Sequence, residues 1–290
     1  MEHKRIAIRM IIMAIFGLFI ATLLIRNWMS ERRLDELRKM NPKALIYEMY
    51  TPSWSGGFKQ MSEHLERIAK LDVDYVWLTP CYPSGGFDGG YDVTDYFSID
   101  PKYGNMSDFD SFVEKANELG IKVVMDLVLN HTSTQHVWFQ KSLQKIKPYD
   151  NYYLWSDEDL GWGTMFDGTS AFEWREERQE FYCHIYNKNQ ADLNWNNPAV
   201  LLEFQNIIDF WVKEHGVAGF RIDSAQLIYK DFSSTVLPRD AVGTVAGLLK
   251  YYQKPETPEI FESLFDRLSI SATPLFTFGE MTAPLQGMFN

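Results

Sequence analysis

Cysteine is scarce in this chain of 290 residues, which contains only Cys81 and Cys183. Two cysteines so far apart cannot build a disulfide framework, and no CxxC or HExxH spacing is present that would bind zinc. We therefore expect two free thiols. The sequence also has no internal repeat or low-complexity tract, which excludes a solenoid or a disordered linker.

Basic residues are in the minority, with 28 Lys and Arg against 39 Asp and Glu and a formal net charge of −11. This balance repels phosphate backbones and makes nucleic acid an unsuitable partner. Hydrophobic residues make up 46% of the chain and aromatic residues 15%, enough for a sizeable core. A folded domain that takes a neutral, hydroxyl-rich ligand fits this composition better.

Long apolar runs are rare, and the exception lies near the amino end. A short basic tail, residues 1–9, precedes an apolar stretch at 10–26, and Trp28 follows it. The stretch is slightly short for a bilayer, but flanking arginines can extend to the interface, where Trp is favoured. The alternative is a cleaved signal peptide, but no small-x-small site follows the stretch, so we predict a retained transmembrane signal anchor.

The segment 27–43, containing SERRLDELRK, is predicted to be a short charged helix that forms a neck. It carries more basic residues near the apolar stretch than the three that precede it. By the positive-inside rule alone, this count would place the rest of the chain in the cytosol.

From Ala44 onward, short apolar runs alternate with amphipathic segments. ALIYEMY, DYVWLTP, IKVVMD, VAGFRID and PLFTFGE are predicted to be five strands, the third ending on Asp126. Helices are predicted between them, one of them at Asp108 to Leu119 with Ser107 as its cap. The stretch 131–196 shows little periodicity, and a loop of that length is usually functional. The pattern is that of an α/β barrel.

Three motifs place acidic residues at or just after these runs: DLVLNH from Asp126, GFRIDSAQ from Gly219, and FGE ending on Glu280. GYDVTDY precedes them, and QADLNW lies between the first two. Catalytic residues of (β/α) barrels lie at the carboxyl ends of strands. Acidic residues in this arrangement indicate a sugar-cleaving active site, and retaining cleavage there needs two carboxylates about 5 Å apart, one as nucleophile and one as acid and base.

These five motifs, in this order, resemble the α-amylase family of glycoside hydrolases, and most of all its α-glucosidase and oligo-1,6-glucosidase branch. The resemblance covers Ala44 to Asn290. It implies a (β/α)8 TIM barrel with strands 1 to 3 in 44–130, an inserted, loop-rich B domain at 131–196, and strands 4 and 5 in 197–290. Since the sequence ends ten residues after Glu280, we expect a barrel truncated after about the fifth strand.

The resemblance assigns Asp223 as the nucleophile and Glu280 as the proton donor. Arg221, two residues before Asp223, is expected to hold the nucleophile ionised. Burial and the negative charge of Asp223 are expected to keep Glu280 protonated.

The resemblance also implies that Asp92 and His131 grip the sugar while Tyr91 stacks beneath its ring. Asp126 and Asn130 match positions that brace the catalytic end. Many relatives carry a calcium loop after the first strand, whereas TPSWSGG here has no carboxylate, so no metal is expected there and no cofactor is implied.

The resulting hypothesis is a retaining α-glucosidase of oligosaccharides or α-glucosides, anchored by one span, with an extracellular or lumenal barrel. Ser224 favours α-1,4 bonds, since relatives preferring α-1,6 bonds resemble one another in having Val there. The extracellular or lumenal location of the barrel is what the family resemblance implies, and it disagrees with the positive-inside count of basic residues.

An alternative is a non-catalytic heavy chain of an amino-acid transporter, with a transporter light chain as partner. Such heavy chains resemble these glucosidases, but the neck here lacks the Cys that usually joins the partner. A further alternative is an inactive fragment.

Overall fold

A computed structural model describes residues 21, 44–232, 247, 250–251, 254–266 and 275–281. The chain divides into two compact units, residues 1–44 with 271–274, and residues 45–270 with 275–290. In the first unit the described residues are Ala21 and Ala44. All helices and strands given below belong to the second unit.

A five-stranded parallel sheet forms the centre of this unit, in the order β1-β2-β3-β9-β10. With strands numbered along the chain, these are β1 (Ile46–Met49), β2 (Tyr75–Leu78), β3 (Lys122–Val128), β9 (Gly219–Asp223) and β10 (Phe276–Gly279). All four neighbouring pairs are parallel. Parallel strands need long crossovers, and the helices between them cover the sheet, which explains why β3 and β9 are buried and largely apolar.

Amphipathic helices supply these crossovers. The described helices are α1 (Gly57–Ala69), α2 (Met106–Glu118), α3 (Val137–Leu143), α4 (Pro198–Asp209) and α5 (Glu256–Asp266). On α1 the buried stripe is Phe58, Met61, Leu65 and Ile68, a helical spacing that turns one face to the core. Its first residue, Gly57, has φ +58°, and a Cβ there would lie 2.0 Å from the carbonyl oxygen of Tyr103. Only glycine fits at this first position of α1, because both the positive φ and the close carbonyl exclude a side chain.

The cap of α2 differs from the prediction. Asn105, not Ser107, precedes the helix, and its side chain accepts from the backbone N–H of Asp108 at 3.2 Å. The Asp108 carboxylate accepts in return from the backbone N–H of Asn105 at 3.1 Å. This reciprocal capping box satisfies two N–H groups at once, which a cap at Ser107 would not.

The stretch 131–196 contains more regular structure than its sequence predicts. It holds β4 (His131–Ser133), α3, β5 (Trp155–Ser156), β6 (Phe172–Arg175), β7 (Glu180–Cys183) and β8 (Gln190–Asp192). The strands form two small antiparallel sheets, β4-β8 and β5-β7-β6. Strands of two to four residues are too short for alternation to show in sequence. Cys183 packs in a second apolar cluster. Both cysteines are free, as predicted, and the structure also buries both of them.

The predicted membrane anchor at 10–26 lies outside the described residues. Among the residues that are described, no helix has the length and apolar character needed to cross a membrane.

Gly219 controls how closely β9 and β10 approach. A Cβ at this position would lie 1.7 Å from the carbonyl oxygen of Phe276, which is backbone and cannot rotate away. We expect Gly219→Ala to lower the free energy of unfolding by about 3 kcal/mol, because the strands must separate. Urea unfolding of the full-length protein measures this. Glu114→Ala, on the exposed face of α2, is the control and should change stability little. Equal stability of the Gly219 variant and wild type would contradict this packing.

Candidate active site

Three neighbouring strands bring the predicted acidic residues to one edge of the sheet. In the parallel register, Asp126 on β3 is paired with Arg221 on β9, and Asp223 lies two residues further on. Glu280 follows directly after β10, and its backbone N–H donates to the carbonyl of Ile222 at 2.8 Å. Because carboxyl ends of parallel strands meet at the same edge, these side chains converge.

Arg221 lies at the centre of the cluster. Its Nη1 is 2.9 Å from an oxygen of Asp126 and 2.9 Å from Oδ1 of Asp223, while Nη2 is 2.9 Å from Oε2 of Glu280. Burial lowers the pKa of Arg221, but Asp126 and Asp223 outweigh it and raise that pKa above its ordinary value. One guanidinium thus holds three carboxyl groups together.

Asp126 is a fully enclosed member of this cluster. It lies within β3 rather than at its end as predicted, since the strand continues to Val128. Its Oδ2 accepts from Nε1 of Trp77 and from the hydroxyl of Tyr91, both at 3.1 Å. Burial raises the pKa of Asp126 to about 8, with Asp223 adding to the rise and Arg221 opposing it. The hydroxyl contact also fixes the ring of Tyr91 beside the carboxylates.

Asp223 is buried and receives a hydrogen bond on each carboxylate oxygen. Arg221 donates to Oδ1, and the hydroxyl of Ser224 donates to Oδ2 at 3.0 Å. Burial raises the pKa of Asp223, Arg221 opposes the rise, and Glu280 adds to it. Arg221 therefore acts in the expected direction, but burial and the neighbouring carboxyl group outweigh it.

Glu280 lies beside Asp223 but is less enclosed. Its side chain is 44% exposed, so the burial expected of a proton donor is absent among the described residues. Its Oε2 accepts from the backbone N–H of Ser224 at 3.3 Å, in addition to the ion pair with Arg221. Asp223 and Glu280 are thus held through shared partners, on adjacent strand ends.

Asp92 is completely buried, and its carboxylate accepts from the backbone N–H of Phe87 at 3.2 Å and of Asp88 at 3.4 Å. Burial raises its pKa, and these backbone donors oppose the rise. Gln190 connects this loop to His131, because its side-chain nitrogen contacts Oδ2 of Asp88 at 2.8 Å and Nε2 of His131 at 3.1 Å. The two predicted sugar-gripping residues therefore belong to one hydrogen-bonded network.

His131 is buried and neutral. Burial and the positive charge of Lys230 lower the pKa of His131 to about 3, opposed by a hydrogen bond to the backbone of Tyr91. Its Nδ1 contacts Nδ2 of Asn130 at 3.0 Å. Asn130 also donates to Oδ1 of Asp192 at 3.0 Å and so braces the carboxyl end of β3 against β8.

Lys230 was not predicted from the sequence and is the buried cation of this network. Its side chain and that of Asp192 are both 0% exposed, with Nζ 3.4 Å from Oδ2 of Asp192. The ammonium also donates to Oδ1 of Asn130. Burial lowers the pKa of Lys230, and Asp192 opposes this. The available signal was a single lysine closing the otherwise uncharged run AQLIY after the GFRIDS motif.

Tyr186 is a second residue that the sequence did not single out. It follows β7 in the stretch 131–196, named the inserted segment below, and its hydroxyl lies 2.7 Å from Oγ of Ser224. Within the described ranges, no group of three or more His, Cys, Asp or Glu side chains is arranged to hold a metal ion.

Comparison with known sequences identifies the family of this domain. Residues 35–289 match the catalytic domain of alpha-amylase. The chain is 39% identical over 251 residues to trehalose-6-phosphate hydrolase of Escherichia coli (strain K12), covering 82% of this chain and 44% of that protein. It is 40% identical over 203 residues to alpha-glucosidase of Apis mellifera, covering 64% of this chain and 35% of that protein. This chain therefore belongs to the α-amylase catalytic-domain family, as its motifs predict.

A solved structure of Bacillus licheniformis trehalose-6-phosphate hydrolase superposes with a TM-score of 0.74 at 36% identity, covering 83% of this chain and 44% of that one. The predicted barrel of α-amylase type is confirmed, and the described sheet contributes five parallel strands to it. The chain spans less than half the length of these relatives.

The buried pair of Lys230 and Asp192 should matter for stability. In Lys230→Met the side chain keeps its length but loses its charge, which leaves Asp192 and Asn130 buried without their cation. We expect the free energy of unfolding to fall by about 3 to 5 kcal/mol. Lys188→Met, at an exposed position between β7 and β8, is the matched control. Urea unfolding of both variants measures the effect, and a loss no larger than that of the control would show that the buried contact contributes little.

Proposed function

We propose that the protein containing this chain is a retaining α-glucosidase that hydrolyses α-glucosidic bonds in oligosaccharides. The observation that carries the proposal is the placement of Asp223 and Glu280 on adjacent strand ends, both bound to Arg221. Retaining glycoside cleavage requires two neighbouring carboxyl groups, one as nucleophile and one as acid and base.

In this reaction an oxygen of Asp223 attacks the anomeric carbon while Glu280 gives its proton to the leaving oxygen, so the glycosidic bond breaks as an ester bond forms. A water then loses its proton to Glu280 and attacks the same carbon, which releases the sugar and restores Asp223. Arg221 orients both carboxyl groups. Asp126 braces Arg221 and Tyr91 from the side.

The surrounding residues suit a neutral sugar. Asp92 and His131 are assigned to its hydroxyl groups, with Tyr91 as the platform beneath the ring and Asn130 as a support for His131. The cations Arg221 and Lys230 are both paired with carboxylates. Acidic groups beside them repel phosphate, so this chemistry favours a neutral glucoside over the phosphorylated sugar in the name of two relatives. We also propose a preference for α-1,4 bonds, because Ser224 has a small polar side chain at the position where relatives that prefer α-1,6 bonds have Val.

The transporter heavy-chain alternative accounts less well for the site. A non-catalytic partner has no need for three carboxyl groups held on one buried arginine. A stable complex with a polytopic membrane protein in mild detergent, together with an absence of hydrolysis, would support the transporter alternative over the hydrolase.

Replacing the two carboxyl groups tests the roles separately. We expect Asp223→Asn to lower kcat about 10⁴-fold on every α-glucoside, because the nucleophile is lost. Glu280→Gln should lower kcat about 10² to 10⁴-fold on maltose but much less on a nitrophenyl α-glucoside, whose leaving group needs no proton. Steady-state kinetics of the full-length protein measures both. Glu114→Gln, on the exposed face of α2, is the control. Equal inertness of wild type and all variants would overturn the proposal.

We propose further that residues 10–26 anchor the protein in a membrane with the barrel on the lumenal or extracellular side. Support comes from the apolar stretch itself, with basic residues before it and Trp28 after it. The orientation is proposed by family resemblance, against the larger number of basic residues downstream.

Fractionation of membranes tests both parts of this proposal. The full-length protein should stay in the pellet after alkaline carbonate extraction, whereas a chain starting at residue 44 should be released, because it lacks the apolar stretch. In sealed vesicles from the secretory pathway, added protease should digest the barrel only after detergent opens the membrane. Extraction of the full-length protein by carbonate would refute the anchor. Digestion without detergent would show that the barrel lies on the opposite, cytosolic side of the membrane.

A further inference from the structure

Two hydroxyl groups connect the inserted segment to the carboxylate of Asp223. The hydroxyl of Tyr186 is 2.7 Å from Oγ of Ser224, and Oγ of Ser224 is 3.0 Å from Oδ2 of Asp223. Arg221 is bound to the other oxygen, Oδ1, at 2.9 Å. Each oxygen of this carboxylate therefore has its own donor.

The number of hydroxyl hydrogens fixes which group donates in each of these two hydrogen bonds. Ser224 has one hydroxyl hydrogen, and the carboxylate of Asp223 can only accept, so that hydrogen goes to Oδ2. Tyr186 must then donate to Oγ of Ser224. Burial, with Asp223 adding to it, raises the pKa of Tyr186 above its ordinary value, so the phenol keeps its proton and remains a donor.

The backbone of Ser224 is shaped for this contact. Its φ of 49° and ψ of 40° lie in the left-handed region, which is uncommon for a residue other than glycine. In this conformation the backbone N–H donates to Oε2 of Glu280 at 3.3 Å while the side chain reaches Asp223. One residue thus contacts both proposed catalytic groups. Uncommon backbone conformations of this kind concentrate at active sites.

Tyr186 is held in place by the inserted segment. Its ring meets the ring of His131 edge to face, with centroids 5.6 Å apart, and contacts the ring of Phe166 at 5.3 Å. These contacts fix the direction of the hydroxyl without any residue of the parallel sheet. The donor that reaches Ser224 is therefore supplied by the inserted segment.

We propose that Tyr186 and Ser224 are positioning residues, a two-hydroxyl relay that orients Oδ2 of Asp223 from the inserted segment. The proposal rests on Asp223 being the nucleophile of the proposed α-glucosidase. The relay stabilises the ionised carboxylate and holds it in the orientation for attack, so its removal lowers the fraction of enzyme with a competent nucleophile. The titratable and charged groups that face Asp223 are Arg221 on the same strand, Asp126, Glu280, Tyr91, Tyr96 and Tyr186.

The test compares Tyr186→Phe, Ser224→Ala and the double variant in the full-length protein, with kcat and KM measured across the pH range of activity. Loss of a hydrogen bond to a charged group corresponds to about a tenfold fall in kcat for Ser224→Ala. Without that donor the pKa of Asp223 rises, so the acidic limb of the profile moves to higher pH. Tyr186→Phe should give a smaller change of the same sign. The double variant should match Ser224→Ala, because Tyr186 acts through Ser224.

Tyr182→Phe is the matched control, since this buried tyrosine of β7 donates its hydroxyl to the carbonyl of Lys188 and has no hydrogen bond to Ser224 or Asp223 among the contacts described. The acidic limb of the pH profile of this control variant should coincide with that of wild type. If wild type is active and Asp223→Asn inactive but neither relay variant moves the limb, the relay is refuted and the α-glucosidase stands. Additive losses in the double variant would likewise refute it. If Ser224→Ala fails to fold, Tyr186→Phe, which keeps its ring, decides alone. An inactive wild type would overturn both proposals.

Discussion

The ion pairs of Arg221 are the interaction on which the rest of this site depends. A buried guanidinium is tolerated only when its charge is compensated, and here Asp126, Asp223 and Glu280 compensate it from three neighbouring strands. The same contacts hold together carboxyl groups that would otherwise repel one another. Removing the positive charge would leave like charges crowded at the edge of the sheet, so the charge balance and the geometry of the candidate site depend on the same contacts.

A second polar network joins the inserted segment to the sheet. Lys230 binds Asp192 of β8 and Asn130 at the end of β3, and Asn130 positions His131. The inserted segment is thereby more than a cover for the strand ends. It supplies both a support for the histidine and, through Tyr186, a hydroxyl group close to Asp223.

The strands that carry the candidate site could be predicted from sequence because each motif combines a short apolar run with a charged residue, and parallel register brings such residues together. This reasoning places Asp126, Arg221, Asp223 and Glu280 at one edge of the sheet, where the structure has them in contact. Lys230, Tyr186 and the hydroxyl contact of Ser224 could not be, because their positions depend on contacts between segments far apart in the chain. The cap of α2 was misplaced for a local reason: both Asn105 and Ser107 are good caps, and the reciprocal contact with Asp108 decides between them.

The contact between Lys230 and Asn130 also constrains how the domain acquires its structure. The two residues are separated by 100 positions, and the inserted segment lies between them. During synthesis Asn130 and Asp192 leave the ribosome first, so they must remain hydrated or poorly ordered until the chain has grown through residue 230. Contacts of such long range slow folding, because the intervening loop must be ordered before the contact stabilises anything. The interior of the inserted segment is therefore completed late, by a residue that follows β9.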